Sequence, residues 1–378
     1  MTGTSDPRHH RASWVLLVAA GLVLVGCSAP DRPEPAGPSV TPTTTSSPQP
    51  STRPSTPVEP APVPATESVV LAISVDGLNP DALTTLGRSG APSFWRLIDG
   101  GASTLNARTD HELTITLPNH TGMLTGRPVT GASGTSVTFN DDNGSTLEQV
   151  HGAYVPSMFD VAHDHGVGTA LFAEKDKFAF LVRSWDRNHG APDDTGANDG
   201  PDKLDLAAIA PSTELVGDVT DALTSGDARL VFWHVAAPDV AGHAAGWLGP
   251  AYLAAVRDAD TQIGTVLDAI TADPELAART TALLTADHGG PRGVDHHDDA
   301  GLEANYRIPF IAWGAGVRRG GDLYALSSGR QDPADASPGG SGAQPIRNTD
   351  LAGVALGVLG LPAIDGAPTS ALAPIVLD

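Results

Sequence analysis

Three aspartates and three histidines stand where metal chemistry could be done. Asp76 follows an apolar run and precedes Gly77. Asp239 and His243 sit in A-A-P-D-V-A-G-H, Asp287 and His288 in T-A-D-H-G-G, and His297 in D-H-H-D-D. Carboxylates and imidazoles together make a mixed oxygen and nitrogen donor set, which suits zinc and can suit manganese. Six ligands are too many for one tetrahedral zinc. They fit two ions about 4 Å apart, the arrangement used in two-metal phosphoryl chemistry. A hydroxyl stands ready for the same chemistry. Thr116 opens T-L-P-N-H, and Pro118 begins a short helical run that stops at Gly126. Unpaired N–H groups at a helix amino end can hold phosphate oxygens. A threonine hydroxyl is a weak nucleophile until a base or a metal removes its proton.

The elements around these residues alternate. Short apolar, β-branched runs over 68–75, 168–173, 229–235, 280–285 and 308–313 predict buried strands. Between them lie helical patterns. One spans 156–165, opened by Pro156 and stopped by Gly166. Another follows Pro250 and carries Leu253, Val256, Ile263, Val266, Leu267 and Ile270. A last one is capped by Thr349 and ended by Gly360 and Pro362. Strands alternating with helices predict an α/β fold of three layers, α/β/α, around a mainly parallel sheet. In such folds ligands gather at the carboxyl ends of the strands. That rule singles out Asp76, the stretch 238–243 and the stretch 287–290.

The ordered set resembles the alkaline phosphatase superfamily, and more narrowly its type I phosphodiesterase/nucleotide pyrophosphatase branch. T-L-P-N-H with T-G-M-L-T-G-R-P is similar to the nucleophile segment of that branch. D-V-A-G-H, A-D-H-G, N-Y-R-I-P-F-I-A-W-G-A-G-V and Q-P-I-R-N-T-D are similar to its later blocks. The resemblance implies one zinc held by Asp239, His243 and His297. It implies a second held by Asp76, Asp287, His288 and the Thr116 oxygen. It also implies that Asn140, in V-T-F-N-D-D, donates to a phosphate oxygen. His297 is preferred to its neighbour His296 on its distance from the I-P-F block. The implied mechanism is attack by Thr116 on phosphorus, a phospho-threonine intermediate, and release by water. Leu117 stands where nucleotide-cleaving relatives carry an aromatic for base stacking, which argues against a nucleotide. A sulfatase pattern, C-x-P-x-R, is not met by Thr116, Pro118 and His120.

The expected activity is therefore cleavage of a small phosphodiester. A phosphomonoesterase on the same site and an inactive binding lipoprotein are the alternatives. His111, His120, His151, His163, His165, His189 and His234 are expected to be surface or structural residues. The acidic, Gly-rich stretch 193–202 lacks the ordered ligand spacing of a calcium loop.

Outside the catalytic part, residues 1–27 read as a signal. Trp14 to Gly26 is too short to span a bilayer but suits a secretory signal, and Leu24-Val25-Gly26-Cys27 resembles a bacterial lipobox. Cys27 is the single cysteine of the 378-residue chain. Residues 28–66 form a Pro/Ser/Thr-rich linker, with twelve prolines between Pro30 and Pro64. The catalytic domain then spans 67–378. These features predict a lipid-anchored protein at the extracytoplasmic face of a bacterial membrane. A net charge of -22 argues against a nucleic acid polymer as partner, because the overall field repels phosphate.

Overall fold

The computed structural model describes residues 67–110, 113–193, 200–334 and 343–378. Cys27, the signal and the linker lie outside the described residues. Eight strands form one sheet. They are β1 (Val69–Val75), β2 (Ala102–Arg108), β3 (Thr169–Ala173), β4 (Leu206–Ile209), β5 (Leu230–Val235), β6 (Thr280–Thr285), β7 (Arg307–Gly314) and β8 (Gly321–Asp322). Their spatial order is β4-β3-β5-β1-β6-β7-β2-β8.

The strands β4, β3, β5, β1 and β6 run parallel, whereas β7 is antiparallel to β6 and to β2. Every residue of β1, β3, β5 and β6 is buried. A strand buried at consecutive positions must be covered on both faces, because its side chains alternate between them. The sheet is therefore the middle of three layers. One group of packed helices contains Pro92–Gly100, Ser212–Ser225 and Pro250–Ala272; another contains Thr116–Thr125, Met158–His163 and Leu351–Val358. Among the described residues no helix is long and apolar enough to cross a membrane.

The five predicted strands are present, and three elements depart from expectation. The helix predicted over 156–165 runs Met158–His163. Ser157 caps it by accepting from the N–H groups of Phe159 and Asp160, and the Asp160 carboxylate accepts from Ser157 N. A reciprocal capping box satisfies two orphan donors, which the preceding proline cannot do. Thr349 is not a cap but the middle of a 3-10 turn, Asn348–Asp350, ahead of the helix Leu351–Val358. β7 reverses because the chain between β6 and β7 makes no crossover. It stays at one edge of the sheet, where Gly289 N donates to Asn305 O.

The central trio matters for the site. β1 lies between β5 and β6, with Val75 beside Val235 and Ser74 beside Thr285. Adjacent strands are about 4.8 Å apart. The segments that follow these three strands are therefore forced side by side.

Candidate metal centre

Asp76 is the first residue after β1, Asp287 lies two residues beyond β6, and Asp239 and His243 lie one turn apart on the helix Ala237–Ala245 that follows β5. The turn at Asp76 is built by its neighbour. Gly77 has φ +65, and a Cβ there would meet Asp239 Cα and Cβ at 3.1 Å. Trp247 Nε1 and the Tyr252 hydroxyl both donate to Gly77 O, at 2.9 and 2.8 Å. Gly77 N donates to Asp287 Oδ1 at 3.0 Å. The first strand end is thus tied directly to the other two.

The three histidines are held in one tautomer. His243 Nδ1 donates to Asp295 O at 2.8 Å, His288 Nδ1 donates to Gly289 O at 2.8 Å, and His297 Nδ1 donates to Thr114 O. A carbonyl can only accept, so each Nδ1 carries the proton and each Nε2 presents a lone pair. Those lone pairs converge on Asp239 Oδ1, at 3.5 Å from His243, 3.7 Å from His288 and 3.7 Å from His297. His243 and His297 bring their Nε2 atoms within 3.1 Å of each other. With both protons committed elsewhere, this is two lone pairs facing one another rather than a hydrogen bond.

Asp76 Oδ1 and Asp287 Oδ2 complete the cluster, 3.5 and 3.2 Å from His288 Nε2. Asp76 Oδ1, Asp239 Oδ1, Asp287 Oδ2 and His288 Nε2 are all buried without a hydrogen-bond partner. Orphaned buried polar atoms are costly and rare. Two ligands on one tetrahedral zinc lie roughly 3.4 Å apart at bond lengths near 2.1 Å, and the spacings here match. The donor set fits divalent metal ions in two groups that share Asp239: Asp239 with His243 and His297, and Asp76 with Asp239 and His288. His296 is turned away, its side chain 66% exposed against 5% for His297.

Charge sets the state of these groups. Burial opposes ionisation of Asp76, but the Lys175 ammonium and the His234 hydrogen bond outweigh it and hold the carboxyl well below its ordinary range. Burial, then the charge on Asp76, push Asp287 well above it. Burial, then the neighbouring His288, lower His297 to about 2. Burial also lowers His288. The His288 and His297 imidazoles are therefore neutral, as metal ligation requires.

Lys175 is the residue the sequence reading missed. Its Nζ donates to Asp76 Oδ2 and to Asp239 Oδ2, both at 2.6 Å. Burial works against its charge, but Asp76, Asp239 and Asp287 outweigh that and raise its pKa. Lys175 lies just beyond β3, so the carboxyl-end rule, applied to that strand as well, would have found it. His234 and His120 were expected to be surface or structural, and both are fully buried against the centre. His234 accepts from Glu174 N at Nδ1, 3.3 Å, and so donates from Nε2 to Asp76 Oδ2 at 2.9 Å. His120 donates from Nδ1 to Thr116 O and accepts at Nε2 from the Ser74 hydroxyl, both at 2.8 Å. Of the other histidines in that group, His163 is buried, His165 is exposed and His151 and His189 are half-buried. His111 lies outside the described residues.

Thr116 is the first residue of the helix Thr116–Thr125 and is 2% exposed. The contacts of its neighbours place it. Thr114 is bonded to His297 through both its carbonyl and its hydroxyl, and Leu117 N donates to Asn140 Oδ1 at 2.9 Å. That bond fixes the Asn140 amide and leaves Nδ2 as its donor. Beneath, Asn348 Nδ2 donates to the Thr109 hydroxyl at 2.8 Å, and that hydroxyl, with one proton to give, sits between the acceptors Asn119 Oδ1 and Asp287 O. This network joins the Thr116 helix to the Asp287 loop.

The fold and this centre define a metalloenzyme of the alkaline phosphatase type. The chain belongs to the Metalloenzyme superfamily, whose family profile matches residues 78–335. Among solved structures it is similar to murine ectonucleotide pyrophosphatase/phosphodiesterase 5, seen in an inactive form in complex with AMP. That match has a TM-score of 0.54 at 15% identity, over 79% of this chain and 96% of that one. The human protein of the same name gives 0.54 at 13%, over 78% and 96%. A 2-O GAG sulfatase gives 0.55 at 14%, over 80% and 72%. At such identities the likeness speaks for the fold.

Proposed function

We propose that this protein hydrolyses phosphate esters at a two-zinc centre, with Thr116 as nucleophile. The observation that carries the reading is the set of imidazole Nε2 lone pairs, each fixed by a carbonyl on Nδ1, that converge on Asp239 Oδ1. Asp239, His243 and His297 would hold one ion; Asp76, Asp287, His288 and the Thr116 oxygen would hold the other. Bound there, the ions supply positive charge against the phosphoryl oxygens and favour the ionised form of a coordinated hydroxyl. Thr116 Oγ1 attacks phosphorus in line and the ester alcohol departs from the opposite side. Asn140 Nδ2 donates to a phosphoryl oxygen and stabilises charge that grows there. Water then cleaves the phospho-threonine and restores the hydroxyl.

A phosphodiester is the substrate that the nucleophile segment favours. A phosphomonoester is a second reading, supported by Lys175. Metal ions on the Oδ1 atoms of Asp76 and Asp239 would offset the carboxylate charge that Lys175 balances and would let its ammonium pair with a phosphoryl dianion, which carries one more charge than a diester. Lys177 lies with it on a cavity of about 670 Å³ that also includes Asp141, next to Asn140. The anchor at Cys27 and the extracytoplasmic location remain part of the proposal on the sequence alone.

The test compares bis-p-nitrophenyl phosphate with p-nitrophenyl phosphate on the zinc-loaded protein. Thr116→Ala should lower turnover of the preferred ester by about a thousandfold or more. Turnover that survives in Thr116→Ala would overturn the nucleophile. A monoester preference that disappears in Lys175→Met would decide for the second reading.

A further inference from the structure

His163 is the last residue of the helix Met158–His163 and is 2% exposed. Its Nδ1 is buried and has no hydrogen-bond partner. An unpartnered ring nitrogen in such a place costs free energy unless something fills it. Two carboxylate oxygens flank it, Asp164 Oδ1 at 3.7 Å and Asp193 Oδ2 at 3.6 Å. These three ligand atoms lie within 4.8 Å of one another. The two distances from the ring nitrogen are close to the edge of a tetrahedral site, roughly 3.4 Å.

The surroundings are built rather than accidental. Lys203, itself fully buried, donates from Nζ to Asp164 Oδ1 at 2.7 Å and to Gly200 O at 2.9 Å. It thereby fixes the carboxylate, as outer hydrogen bonds do around metal ligands. Asp164 is 35% exposed along its side chain, which gives an ion a route in and a place for water. One nitrogen with two oxygens suits a transition metal better than calcium, which takes six to eight oxygens.

The location is separate from the catalytic centre. Residues 163 and 164 precede β3, and Lys203 precedes β4; the Thr169 hydroxyl at the start of β3 donates to Lys203 O at 2.7 Å. This is the amino-terminal edge of the sheet, whereas Asp76, Asp239 and Asp287 lie at the carboxyl-terminal edge. We propose that His163, Asp164 and Asp193 hold a further divalent transition-metal ion, which clips the chain around Asp193 to the helix Met158–His163 and serves structure rather than catalysis.

The test uses the full chain, stripped with a chelator and reloaded with zinc, and counts bound metal per chain by mass spectrometry. His163→Asn and, separately, Asp193→Asn should each bind one zinc fewer than wild type while ester turnover stays unchanged. The second variant guards against a folding fault in the first. A chain carrying Asp76→Asn, Asp239→Asn, His243→Ala and His288→Ala, which strips ligands from both catalytic ions, should still bind one zinc, and adding His163→Asn should remove it, so this site is read independently of the catalytic proposal. Equal zinc content in wild type and both single variants would overturn the site and leave an ion pair between His163 and its two aspartates.

Discussion

Replacing Lys175 with Met should destabilise the metal-free protein and spare the zinc-loaded one. The ammonium donates to Asp76 and Asp239 at 2.6 Å each, and the charge on Asp287 acts on it as well. Removing one partner of a buried charge cluster costs about 3–5 kcal/mol, because the other charges are left uncompensated. The Lys175 side chain is 15% exposed, which places the cost near the lower limit, about 3 kcal/mol. Unfolding entropy is about 2.1 cal/mol/K per residue. For the roughly 310 residues from 67 onward this gives about 0.65 kcal/mol/K, and so a fall in Tm of about 5 °C. In the loaded protein the ions neutralise the same carboxylates and the Met stem replaces the lysine stem, so Tm should fall by less than about 2 °C. The cycle closes through metal binding. Zinc should bind the variant on the order of a hundredfold more tightly, since about 1.4 kcal/mol is a factor of ten. Scanning calorimetry with and without zinc, and a competition titration with a chromophoric chelator, read both quantities. Equal losses of Tm in the two states, or unchanged zinc affinity, would refute the idea that Lys175 stands in for a cation.

Two further outcomes follow from the same geometry. Gly77→Ala should cost about 1–2 kcal/mol, because alanine is strained at φ +65. It should also weaken zinc binding, because its Cβ crowds Asp239 at 3.1 Å; calorimetric zinc titration checks this, and wild-type affinity in the variant would count against it. His120 and His234 are pushed below the ordinary imidazole range, chiefly by burial and His120 the further, so their rings should both still be neutral at about pH 6.5, where a free imidazole is half protonated. The unfolded chain protonates first, so each of these two histidines removes stability as pH falls from about 6.5 toward its folded pKa. Resonances that titrate near 6.5 would contradict the burial argument.

The ligand-bearing strand ends were legible in the sequence. The runs ending at Val75, Val235 and Thr285 are mainly apolar or β-branched because they are buried on both faces, and the charged residues just beyond them mark the carboxyl edge. Three strands escaped, one of them β8, which is only Gly321–Asp322. Of the other two, β2 mixes buried and partly exposed residues and β4 has no fully buried position, so neither of these gives a clean period. The direction of β7 also escaped, since an apolar run reads the same in either sense.

Composition and local pattern determined which chemistry the chain carries: carboxylates and imidazoles after buried strands, and a threonine at a helix start. What they could not reach was the matching of partners far apart in the chain. That β5, β1 and β6 are neighbours is a property of the sheet, and it alone brings Asp239, Asp76 and Asp287 together. The choice of His297 over His296 is made by the Thr114 carbonyl, 183 positions away. The role of Lys175 is set by aspartates 99 and 64 positions away. Local propensity acts over a few residues, whereas the tautomer of a histidine and the charge of a lysine are fixed by whatever the fold packs against them.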